Sequence, residues 1–185
     1  EDKVRYINLL LEAGFHTLDF GSFVSPKWVP QMADTASVLE RLHPSPTHLL
    51  AIVANLRGAE EAAGKSRVRY LGFPFSISET FQQRNTNSSR ETSLSTVEEM
   101  AGICQRSGKE LVVYMSMGFG NPYGDPYNTD ILTTWTLRIH QLGVRTISLA
   151  DTVRLATPGQ VHDAVQQLTA ELPDTVVGVH LHAAR

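Results

Sequence analysis

Thr175-Val176-Val177-Gly178-Val179-His180-Leu181-His182 decides how the rest of the chain is read. Five of its first seven residues are β-branched or apolar, and no Asp, Glu, Lys or Arg interrupts them. That is the pattern of a buried strand. Residues two apart on a strand share a face, so His180 and His182 project side by side at the carboxyl end of the run. Two imidazoles so placed can supply two ligands to a divalent cation. The same pair could instead divide its work, one ring bonding a core carbonyl and the other facing water. The run alone leaves both readings open.

Working back from the amino terminus, Val4, Ile7, Leu10 and Leu11 recur at helical spacing, which predicts an amphipathic helix over Glu1–Ala13 stopped by Gly14. Phe15–Phe20 reads as a short strand, and Gly21–Pro30 as a loop with two prolines. Helix is expected over Asp34–Leu42 and Leu56–Ala63, and strand over Thr47–Asn55 and Val68–Phe75. Ser76–Ser89 reads as a polar connection. Ser93–Gly108 reads as a helix, with Ser95 and Glu98 at capping-box spacing. Glu110–Ser116 is a strand, Met117–Thr129 a loop, Thr129–Leu142 a helix and Thr146–Ala150 a strand tipped by Asp151. Pro158 opens a last helix through Leu172.

Strands alternating with helices predict a parallel sheet. The longer, more polar links follow the strands, as in a (β/α)₈ TIM barrel, whose chemistry sits at the strands' carboxyl ends. No G-x-G-x-x-G follows the first strand, which lowers a dinucleotide-binding reading. The expected fold class is therefore α/β, a (β/α)₈ barrel of which about six strands are present and the first and last are lacking. Residues 1–185 are expected to form one incomplete catalytic domain.

Composition bounds the partners. With 185 residues, 42% hydrophobic and 19% charged, the chain can bury a sizeable core. A formal net charge of −3 and no basic stripe argue against nucleic acid. No apolar run approaches the roughly 20 residues of a membrane span. Cys104 is the single cysteine, so neither a disulfide framework nor a cysteine-based zinc site is expected, and a reducing cytoplasm is the natural setting. The opening Glu1-Asp2-Lys3 passes straight into a helix without a signal peptide, and the true start is expected upstream.

Under this layout polar groups gather at the strand tips: Asp19 and Ser22, then Asn55, then Glu79, Asn85 and Asn87, then Tyr114 and Ser116, then Ser148, Asp151 and Thr152, then His180 and His182. Each has a plainer role open to it. Asp151-Thr152 could cap a turn, Asp19 could face water, Asn85 and Asn87 suit loop turns, and Trp28 suits packing. The functional reading rests on convergence, because a carboxylate beside paired histidines is the usual surrounding of a bound metal.

The residues that carry a resemblance are Ser22-Phe23-Val24-Ser25-Pro26-Lys27-Trp28-Val29-Pro30-Gln31-Met32 above all. Asn55-Leu56-Arg57-Gly58, Ser78-Glu79-Thr80-Phe81 with Asn85-Thr86-Asn87, Asn121-Pro122-Tyr123, Asp151-Thr152 with Thr157-Pro158-Gly159, and His180-Leu181-His182 support it. On these stretches the chain resembles the 3-hydroxy-3-methylglutaryl-CoA lyases of the metal-dependent lyase and condensing-enzyme barrel superfamily.

The resemblance implies cleavage of 3-hydroxy-3-methylglutaryl-CoA to acetyl-CoA and acetoacetate, a retro-Claisen reaction in leucine degradation. The implied cofactor is Mg²⁺ or Mn²⁺, and the implied partners are an acyl-CoA substrate and a second copy of the chain in a dimer. It implies metal ligation by His180 and His182, catalytic roles for Asp151, His180 and Asp19, and substrate contacts from Ser22, Asn85, Tyr114, Ser148 and Thr152. Family members also carry an Arg-Asp pair on an earlier strand, and a later Gly-rich loop with a cysteine and an asparagine ligand. None of these matches a position here, and Cys104 is not that cysteine. Asn121 stands where the family usually has cysteine. A condensing enzyme or aldolase of the same superfamily, and a non-catalytic acyl-CoA-binding barrel, are the alternative functions.

Overall fold

The structure is a computed structural model, and it describes residues 1–182. Among the described residues six strands form the sheet, and their order in the sheet is their order in the chain, as successive parallel β/α units require. The chain divides into two compact units, Glu1–Gly72 with Gly102–Glu110, and Phe73–Ala101 with the chain from Leu111 onward.

In the first unit, α1 (Asp2–Glu12) turns Val4, Ile7 and Leu11 inward. β1 (Thr17–Ser22) then pairs in parallel with β2 (His48–Ile52). The expected strand Phe15–Phe20 is thus shifted, and Gly21 and Ser22 belong to the strand rather than to the loop. Register slips between Asp19 and Gly21, leaving a bulge at Phe20. Such a bulge re-aims the neighbouring side chains. A 3-10 turn at Pro30–Met32 leads to α2 (Thr35–Glu40). α3 (Leu56–Ala63) is capped by Asn55, whose side chain accepts from the Gly58 amide at 2.9 Å. Gly58 has no freedom to be anything else: a Cβ there would lie 2.3 Å from the Phe23 carbonyl oxygen.

β3 (Val68–Ser76) continues from the first unit into the second. The polar stretch expected to be a connection holds a helix, α4 (Glu79–Thr86). The Ser78 hydroxyl accepts from the Phe81 amide at its start, and Asn87 ends it in the left-handed region at φ 52°. It was hidden because it has almost no apolar stripe; among its residues only Gln82 is buried. α5 (Arg90–Ser107) begins earlier than expected. Ser95 is therefore inside the helix, its hydroxyl donating to the Glu91 carbonyl at 3.4 Å, and does not cap it.

β4 (Glu110–Ser116), α6 (Thr129–Gln141), β5 (Thr146–Ala150) and α7 (Pro158–Glu171) fall where periodicity places them. α7 opens on a capping box between Thr157 and Gln160. β5 pairs in parallel with both β4 and β6 (Val176–His180). The expectation of a buried strand over Thr175–His182 is corrected here. β6 ends at His180, and Val176, Val179 and Leu181 keep 66%, 44% and 49% of their surface. Among the described residues β6 is paired with β5 alone, so an uninterrupted apolar run meets solvent.

Candidate metal and acyl-CoA site

In the second unit, parallel register aligns Tyr114 of β4, Ser148 of β5 and Gly178 of β6, and then Ala150 with His180. These positions share one face by two-residue alternation. The small residues leave room for the Tyr114 ring to reach the His180 ring edge-on, centroids 5.7 Å apart. The His180 and His182 rings are themselves perpendicular neighbours at 5.6 Å. The pair is therefore brought together as expected, although His182 lies just past the end of the strand.

Asp151 joins them through its backbone. Its amide donates to the His180 carbonyl at 3.0 Å, and its own carbonyl oxygen lies 2.6 Å from His182 Nδ1. A carbonyl only accepts, so Nδ1 carries the hydrogen and the neutral ring keeps its lone pair on Nε2. That is the tautomer a metal-binding histidine needs, with the far nitrogen held by a carbonyl. The donor chemistry of His182 thus fits a divalent cation. Among the described residues, however, no group of three or more His, Cys, Asp or Glu side chains converges to hold one. The Asp151 side chain is 5% exposed, and its Oδ1 accepts from the Leu155 and Ala156 amides at 2.8 and 3.3 Å. One carboxylate oxygen shapes its own loop, as the plainer reading of Asp151-Thr152 anticipated. The Thr152 hydroxyl accepts from the Met117 amide at 2.9 Å.

Asn85 is exposed on α4 rather than in a loop turn. The start of that helix is held by Asp125, which sequence reasoning missed. Its carboxylate accepts from the Ser78 hydroxyl at 2.5 Å and from the Thr80 amide and hydroxyl at 2.9 and 2.7 Å. These bonds, the Ser78 hydroxyl foremost, hold its carboxyl below the usual carboxylate range. A single Asp in a Gly-Pro-rich loop gives no signal of a partner 45 residues away.

In the first unit, burial pushes the Asp19 carboxyl up to about 6, against the pull of the Gly21 amide. Asp19 nevertheless keeps an exposed side, so the group is crowded by protein on one face while water reaches it on the other. Ser22 is buried, and among the described residues its hydroxyl has no hydrogen-bond partner. A buried, unsatisfied hydroxyl is costly and marks a place where a ligand can complete the bonding. Trp28 is 80% exposed, against the expectation of a packing role.

Two clefts lie away from Asp19, Asp151 and the histidine pair. One of about 420 Å³ is lined by Glu79, Arg90, Asp125 and Trp135 among others, and one of about 480 Å³ by Leu11, Pro44, His48 and Arg67 among others. Neither includes Asp19, Asp151, His180 or His182.

The profile of the HMGL-like family matches residues 1–185. The chain belongs to the HMGL-like family. Among its relatives, the mitochondrial hydroxymethylglutaryl-CoA lyase of Bos taurus is 34% identical over 97% of this chain and 55% of its own. The cytoplasmic 3-hydroxy-3-methylglutaryl-CoA lyase of Danio rerio is 34% identical over 98% of this chain and 54% of its own. An HMG-CoA lyase from Acinetobacter baumannii, solved with coenzyme A and 3-methylmalate, superposes with a TM-score of 0.90 at 25% identity, over 97% of this chain and 59% of that one. This HMGL-like chain thus spans about half the length of these relatives. Its fold is of the α/β, (β/α)₈ class, with six of the strands among the described residues.

Proposed function

We propose that the protein to which this chain belongs is a carbon–carbon lyase that cleaves 3-hydroxy-3-methylglutaryl-CoA to acetyl-CoA and acetoacetate. The observation that carries this reading is the match over residues 1–185 to a family whose similar members are named for that activity. The coenzyme A complex of the Acinetobacter relative supports an acyl-CoA partner. Residues 1–185 are read as part of one catalytic domain. No described helix is long and apolar enough to cross a membrane, and the proposed location is the cytoplasm, where the Danio relative is named. A homodimer is the proposed assembly.

His180 and His182 are the proposed ligands of Mg²⁺ or Mn²⁺. When bound, such an ion polarises the substrate's C3 oxygen and lowers the pKa of its hydroxyl. Asp151 would take the hydroxyl proton, and His180, whose lone pair the ion would hold, would orient that hydroxyl for the transfer. The bond between C2 and C3 then breaks, C3 becomes the ketone carbon of acetoacetate, and the electron pair passes to the thioester as its enolate. Return of that proton to the enolate carbon completes acetyl-CoA. Asp19, whose carboxyl burial pushes up to about 6, is proposed as a catalytic residue. Ser22, Asn85, Tyr114, Ser148 and Thr152 are proposed to contact the acyl-CoA, and the orphaned Ser22 hydroxyl supports this for its position.

The test is acetoacetate formation by the full-length protein from 3-hydroxy-3-methylglutaryl-CoA with Mg²⁺ or Mn²⁺. Turnover supports the reading. A protein that binds the metal and cleaves no acyl-CoA contradicts it.

A further inference from the structure

The exits of β4 and β5 are stitched together in the second unit. Met117, the first residue after β4, sits in the left-handed region at φ 59° although it is not glycine, and its side chain is buried. Such a conformation persists only where the surroundings hold it. Its amide donates to the Thr152 hydroxyl at 2.9 Å. The next amide, Gly118, donates to the Ala150 carbonyl at 3.0 Å, and a Cβ at Gly118 would lie 2.8 Å from the Met115 carbonyl oxygen. A Cβ at Gly120 would lie 3.3 Å from Leu155 Cδ1, and the Leu155 amide is bonded to Asp151 Oδ1. On the other side of the same tip, the Asp151 amide and carbonyl hold His180 and His182.

Residues 150–152 are therefore the shared anchor of the β4 exit and the histidine pair. We infer that Thr152 is a positioning residue. Its hydroxyl accepts from the Met117 amide, holds that residue left-handed, and so fixes the Asp151 backbone that orients His182. The inference deepens the proposed metal role of His182 and rests on it for its consequence, but not for the clamp itself.

The test uses the full-length protein and three variants. Thr152→Ser keeps the hydroxyl, Thr152→Val keeps the shape without it, and Thr152→Ala is a smaller second deletion should the valine variant fold poorly. The expected result has three parts. Thr152→Val and Thr152→Ala speed hydrogen exchange at the Met117 amide, shift the imidazole nitrogen resonances of His182, and weaken Mn²⁺ binding by about tenfold or more, as loss of a group that orients a ligand does. Thr152→Ser restores all three. Unchanged exchange at Met117, an unmoved His182 signal, or a serine variant as impaired as the valine one overturns the inference. Should the parent bind no Mn²⁺, the metal reading of His182 fails by itself. Exchange at Met117 and the His182 resonances then decide for or against the clamp.

Discussion

The backbone carbonyl of Asp151 lies 2.6 Å from Nδ1 of His182. Because the acceptor is fixed, so is the tautomer: hydrogen on Nδ1, lone pair on Nε2. Nitrogen-detected NMR of the full-length protein is expected to show His182 as the Nδ1–H form when neutral. An Nε2–H form would place the lone pair toward a carbonyl and would contradict the geometry.

Asp19 makes stability depend on pH with a definite sign. Its folded pKa of about 6 is above the ordinary value of 3.8, so the folded state binds the proton more tightly. The contribution is fully present below the unfolded pKa and is lost as pH rises from about 4 through 6. Asp19→Asn, which removes the charge, is expected to raise the melting temperature at pH 7.5 and to leave it unchanged at pH 3.5. Equal effects at both pH values would show that the carboxyl is not perturbed.

Asp125 has the opposite sign. Its carboxyl is held low by Ser78 and Thr80, so its contribution is present above pH 4 and fades as pH falls through the lowered folded value. Asp125→Ala is expected to destabilise by about 1.5–3 kcal/mol, the range for hydrogen bonds to a charged group. Exchange is expected to quicken at the start of α4, which carries Asn85. An alanine variant of unchanged stability would remove Asp125 as the anchor of that helix.

Two glycines separate space from flexibility. A Cβ at Gly58 would meet the Phe23 carbonyl oxygen at 2.3 Å, whereas one at Gly64 meets carbonyl oxygens no closer than 3.5 Å at φ −68°. Gly58→Ala is expected to cost about 1–3 kcal/mol through overpacking. Gly64→Ala is expected to add about 0.4–1 kcal/mol by stiffening the unfolded chain. Denaturant melts of the two variants check the contrast.

Much of this architecture is legible in the residues because alternation and helical spacing are local signals. Glu110–Ser116 and Thr146–Ala150 need nothing but their own apolar runs, and Pro158 marks its helix. The failures fall where tertiary context decides. α4 is built on Ser78 and Asn87 as caps rather than on an apolar face, so a search for periodicity passes over it. The apolar run of β6 reads as buried, but burial depends on what lies beside the strand, which the run itself does not contain. The pairing of His180 with His182 follows from two-residue alternation. The atoms of Asp151 that meet them do not: a sequence suggests a carboxylate near two imidazoles, while the contact is made by a carbonyl.

Mn²⁺ binding to the full-length protein, followed by electron paramagnetic resonance, tests the central claim most directly. One ion per chain is expected in the parent. His180→Ala and His182→Ala are each expected to weaken it by about 10–100-fold or more, since each removes a ligand where even an orienting group is worth that much. The His162→Ala control, altering an exposed histidine on α7, is expected to leave binding as it was. Parent-like affinity in either of the first two variants, with the fold intact, would show that this histidine does not hold the metal.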